Sequence, residues 1–123
     1  MTLSRITVRL ARNPGTEYAE GDDHRGYVLT APLDGDGRLD QVAYSKAKDL
    51  CSVRRFKEDE APMLGRLIHR GKVWFFDYDT GADNDDEPVY GLGDHRLVVG
   101  EYVTITDETS QALTYKVTEV TAV

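Results

Sequence analysis

The opening stretch SRITVRLAR alternates apolar and polar residues. It places Ile6, Val8 and Leu10 on one face and Arg5, Thr7 and Arg9 on the other. A repeat of two is the mark of a strand with one buried face. Residues NPGTEYAEGDDHRG follow, rich in Gly, Asp and Pro, and read as a loop. GYVLTAPL is a second strand. After residue 38 the period changes. In LDQVAYSKAKDLC the apolar positions are Leu39, Val42, Ala43, Ala47, Leu50 and Cys51, the spacing of an amphipathic helix. This predicts one short helix near 40–49, with Asp40 as its N-cap. Period two then returns. SVRRFK, MLGRLIHR and KVWFFDYD read as strands, as do HRLVVGEYVTIT and ALTYKVTEV around the turn DETSQ.

KVWFFDYD is the most apolar of these, with Val73 and Phe75 on one face and Trp74 and Phe76 on the other. Apolar residues on both faces predict a central strand covered on both sides. The expected core is Trp74, Phe75 and Phe76, surrounded by Ile6, Val8, Leu29, Val103, Ile105 and Val117. The fold class that follows is mainly β with some α. We expect a curved antiparallel sheet, or a partly open small barrel, of about six strands with the one helix. At 123 residues the chain is expected to form a single domain spanning 1–123. No repeat or linker divides it.

Between the second strand and the helix lies LDGDGRLD, whose spaced aspartates resemble part of a calcium loop. The register fails. Setting Gly37 at the bend puts Pro32 at the first ligand position and Ala43 where a bidentate Glu is needed. The Asp-Gly pairs instead suit a tight turn at 34–37 that binds no calcium.

Charge changes the picture in one place. The chain carries 22 acidic and 15 basic residues, for a net charge of −7. Six of the acids fall in DYDTGADNDDE, residues 77–87, which holds no base. Outside that stretch the chain is nearly neutral. Three readings of the stretch are open: a solvated loop, a strap against Arg54 and Arg55, or a divalent-cation site using Asp77, Asp79, Asp83 and Asp85. The solvated loop is the base expectation, and Arg54 and Arg55 are the candidate binding residues. The overall sign and the small basic groups argue against a nucleic-acid partner.

Signatures of catalysis are missing. There is no G-x-S-x-G, and the histidines 24, 69 and 95 lack metal-ligand spacing. Cys51 at the end of an apolar stripe reads as a buried, inert thiol, and GLGD at 91–94 precedes a strand and so makes no phosphate loop. No cofactor is called for. No run of about 20 apolar residues occurs and no signal peptide is evident, so a cytoplasmic protein without a membrane partner is expected. The single cysteine agrees with that compartment.

The runs APLDGDGRLD, VRRF, GRLIHRGKVWFFDYD and GDHRLVVGEYVTI resemble a family of small uncharacterised bacterial proteins. The resemblance covers most of the chain. It implies a compact bacterial cytoplasmic domain and carries no functional residue with it. The function expected from the sequence is a non-catalytic binding or protein-interaction domain for a protein or small ligand. The alternative is a divalent-cation-binding protein using the acidic stretch.

Overall fold

The computed structural model describes residues 3–78, 86–89, 91–106 and 111–123. Eight strands form one antiparallel sheet: β1 (Leu3–Leu10), β2 (Asp22–Pro32), β3 (Ser52–Phe56), β4 (Met63–Arg70), β5 (Val73–Tyr78), β6 (Asp86–Val89), β7 (Tyr102–Thr106) and β8 (Ala112–Ala122). The order across the sheet is β6-β5-β4-β3-β2-β1-β8-β7. Because β8 returns to pair with β1, the strands follow one another in chain order around a ring. The two edge strands β6 and β7 approach each other, so the sheet is a nearly closed barrel. Closing the ring largely removes the exposed strand edges that invite aggregation.

The strand count of eight exceeds the expected count of about six. One addition is β6, whose sequence DEPV has no apolar alternation and carries a proline. Proline is tolerated at a sheet edge, and β6 is an edge. The stretch expected as one strand over 95–106 is strand only from Tyr102.

Alternation sorts the side chains as the first strand promised. Ile6, Val8 and Leu10 point inward with Tyr27, Leu29, Val53, Leu67, Val103, Ile105, Leu113, Tyr115 and Val117, all buried. Trp74, Phe76 and Tyr78 complete this interior. Tyr27 lies tilted against Phe76 at 5.3 Å and meets Tyr115 edge-on at 5.2 Å, the latter an arrangement that favours aromatic pairs.

Phe75 departs from expectation. It is half-buried on the outer face, and the Arg70 guanidinium lies 5.5 Å from its ring. Strand β5 is next to the sheet edge rather than central, and the strands among the described residues form one sheet with no second sheet packed over it. The apolar outer residues are shielded by a long cationic side chain instead.

The helix is also shorter than expected. Helix α1 covers Gln41–Ser45, and a separate 3-10 turn covers Lys48–Leu50. The Asp40 carboxylate caps α1 by accepting from the Ala43 backbone N–H at 3.0 Å. The helical spacing fails at both ends: Val42 is 68% exposed and Leu50 61% exposed. Ala47 takes a φ of −143°, which ends the helix and rotates the later residues out of the stripe. The buried helical side chain is Tyr44, which packs edge-on against Trp74 at 5.0 Å.

Two devices bend the strands. The β1 register shifts between Arg9 and Leu10 against β2, and between Thr7 and Val8 against β8. Such bulges sharpen local curvature. Gly26, beside the first shift, leaves no room for a side chain, because a Cβ there would overlap the Val8 carbonyl oxygen.

Candidate functional site

The candidate calcium motif is a self-contained turn. The Asp34 carboxylate accepts from the backbone N–H groups of Asp36 at 2.8 Å and Arg38 at 3.1 Å. The Asp34 carbonyl accepts from Gly37, whose φ is +84°. These bonds commit the Asp34 Oδ1 and carbonyl oxygen to holding the turn. A second contact anchors it, since the Gly37 carbonyl accepts from the Leu97 N–H at 2.7 Å.

Of the cation candidates, Asp77 sits half-buried on the outer face of β5, in register with Arg66. Asp79, Asp83 and Asp85 lie outside the described residues. Among the described residues no group of three or more His, Cys, Asp or Glu side chains is arranged to hold a metal ion.

Arg54 and Arg55 are consecutive on β3, so they project to opposite faces. Arg55 is half-buried, donates to the Met63 sulfur and stands 5.2 Å over the Tyr78 ring. Arg54 is exposed on the outer face. The structure therefore separates them, and Arg54 joins a different set of residues.

Two cross-strand rows define that set. Thr7, Val28, Arg54 and Leu64 lie side by side on β1, β2, β3 and β4. The adjacent row is Arg5, Thr30, Ser52 and Arg66. All of these except Arg66, together with Arg9, border a half-open depression of about 660 Å³ on the outer face of the barrel. The side chains of Arg5, Arg54, Thr7, Thr30 and Ser52 make no hydrogen bond or ion pair among the described residues. Arg9 is held at the wall by Thr118 at 2.6 Å and Glu119 at 3.4 Å, and Arg66 by Asp49 at 3.0 Å. No acidic residue lines the depression, although acids outnumber bases 22 to 15 in the chain. With three arginines and no carboxylate in its lining, the depression is a locally positive surface on an acidic protein.

The signal for this face was present in the first strand, whose polar side is Arg5, Thr7 and Arg9. What sequence reasoning lacked was the register that lays Arg54 beside them.

Other unusual groups have structural roles. Arg25 donates to the Tyr18 hydroxyl at 2.6 Å and lies 4.6 Å over the same ring. Burial alone would lower its pKa, but Tyr18, Tyr115 and Tyr27 outweigh this and raise it above its ordinary value. The Cys51 thiol is buried, which pushes its pKa up, and it donates to the Ala47 carbonyl at 3.4 Å. A thiol in that state is a poor nucleophile. The GLGD segment forms a 3-10 turn at Leu92–Asp94, and Gly93 allows the backbone to pass the Trp74 indole, to whose Nε1 a Cβ would come within 3.0 Å.

His69 leans on Trp74 with ring centroids 4.4 Å apart, and its Nε2 is buried with no hydrogen-bond partner among the described residues. Burial lowers its pKa below the ordinary 6.5, because the imidazolium would have a second N–H with nothing to receive it. A depressed histidine pKa means that the unfolded chain takes up a proton before the folded one does. Stability from this group is therefore complete above about 6.5 and falls as the pH drops below it. Thermal melts from about pH 7 to pH 5 should show a smaller loss in His69→Gln than in the wild type, across the range where an ordinary histidine titrates. An identical loss in both would assign the acid sensitivity to carboxylates.

The chain matches no protein-family model, and no curated protein or solved structure matches it either.

Proposed function

We propose that this chain is a non-catalytic binding domain, and that the outer face of β1 to β4 recognises an anionic partner. The observation that supports it is the depression bordered by Arg5, Arg9 and Arg54 and free of carboxylates. The guanidiniums of Arg5 and Arg54 and three hydroxyls have no partner among the described residues, so their donors are open to a ligand. A guanidinium presents five donors in a fixed fork and suits an oxyanion.

The filled interior supports placing the site outside. The apolar core side chains of the barrel are almost fully buried and pack on one another. Within this reading the domain works in the bacterial cytosol, the setting suggested by the motif resemblance. No helix among the described residues is long and apolar enough to cross a membrane. The cation alternative depends on Asp79, Asp83 and Asp85, outside the described residues, and no observation favours it over the outer face.

Attraction to this face is local, since salt screens charges over about 8–10 Å while the whole protein is acidic. Titrating isotope-labelled protein with pyrophosphate, citrate and an oligoglutamate peptide tests the reading by amide shifts. At least one anion should shift residues of the outer face in β1–β4, and less so as salt is raised. Shifts confined to other surfaces, or none with any anion, would refute it.

A further inference from the structure

Resting on the anion reading, we infer that the depression is built for an organic phosphate: a phosphoryl group held by Arg5 and Arg54, with an apolar body laid against Val28 and Leu64. The register fixes the layout. Strands lie about 4.8 Å apart and rise about 3.3 Å per residue, so the Cα atoms of Arg5 and Arg54 stand about 12 Å apart across β2. Both side chains border the same depression, with Thr7, Thr30 and Ser52 supplying hydroxyls on the floor and rim. The donors therefore come from two opposed walls and from below.

A carboxylate is planar and offers two oxygens in one direction. A phosphate monoester is tetrahedral and offers three acceptor oxygens, with close to two negative charges at neutral pH. Donors converging from several sides fit the tetrahedral group better. The double charge also suits two guanidiniums whose charge nothing among the described residues balances. Arg9 supplies a third positive charge at the wall while staying tied to Glu119.

The rest of the ligand follows from the apolar residues. Leu64 is 65% exposed at the rim, directly across from Arg54, and Val28 is half-buried between Arg54 and Thr7. An exposed leucine beside an arginine offers a surface for an apolar or planar group. The space of about 660 Å³ falls in the range that encloses one small molecule, not an extended polymer.

Calorimetry with four probes tests this: pyrophosphate, phenyl phosphate, a triglutamate peptide and an oligothymidylate. Phenyl phosphate should bind at least tenfold tighter than triglutamate, and Leu64→Ser should weaken phenyl phosphate more than pyrophosphate. Arg5→Ala and Arg54→Ala should each weaken both phosphates about tenfold or more, the scale of a hydrogen bond to a charged group. Arg54→Lys should recover part of the loss, because it keeps the charge without the fork. These residues are on the outer surface, and unchanged thermal midpoints will show that the variants fold. Triglutamate binding as well as phenyl phosphate would overturn the phosphate inference and leave the anion reading standing. Oligothymidylate binding with no affinity for phenyl phosphate would overturn it in favour of a nucleic-acid backbone. Binding of none of the four at this face would overturn both.

Discussion

Phe76→Ala is expected to destabilise the fold by about 3–5 kcal/mol, and Phe75→Ala, one residue earlier, by roughly 1 kcal/mol. Phe76 has no exposed surface and packs against Tyr27 inside the barrel. Its removal forfeits the transfer energy of a large ring, about 1.5–3 kcal/mol. It also leaves a cavity that neighbours on strands paired on both sides cannot collapse to fill. Phe75 faces out, half-buried, with Arg70 across its ring. Water fills its place and the arginine stem relaxes over the gap. Urea denaturation of the two variants measures both values, with an unchanged m-value showing that the same surface is exposed on unfolding. Equal losses at the two positions would mean that β5 is covered on both faces, as its apolar sequence suggests and the barrel denies.

The second large effect is expected at Gly26. Gly26→Ala should cost about 3 kcal/mol or more, at or above the top of the usual range for overpacking. Its φ is not in the left-handed region, so backbone conformation is not the obstacle. The obstacle is space. A Cβ would overlap the backbone carbonyl of Val8 and come within 2.9 Å of the Phe56 ring. The ring can turn away, but the carbonyl is part of β1, which is paired on both sides. Relief therefore requires parting strands, not rotating a side chain. Gly35→Ala is the matched control. Nothing lies within 4 Å of a Cβ there and its φ is not positive, so the change should be neutral or slightly stabilising. A Gly26→Ala variant as stable as the control would show that β1 and β2 can separate freely at the bulge.

Some of this molecule was legible from the chain alone, where the information is local. Alternation in residues 5–10 set which side chains of β1 enter the core, because successive residues on a strand face opposite ways whatever they pair with. Asp40 as a cap and Asp34 as a turn former act on backbone groups a few residues away, and both do so. Other features depend on partners distant in sequence. Val42 and Leu50 keep a helical spacing yet face solvent, because α1 turns Tyr44 onto Trp74 and so puts Val42 on its far side, and the break at Ala47 takes Leu50 out of the stripe. Strand β6 has no apolar alternation, and exists because the edge of β5 offers it hydrogen bonds. Phe75 is exposed in part because the strands among the described residues form one sheet curled into a nearly closed barrel, a property of no single strand. The candidate site is the clearest case. Arg5 and Arg9 were legible as the outer face of the first strand, and Arg54 as a basic residue of the third. Only the β1–β2–β3 register, with Arg54 level with Thr7 across Val28, makes them neighbours. Register is decided by burying two apolar faces at once, so no one segment contains it.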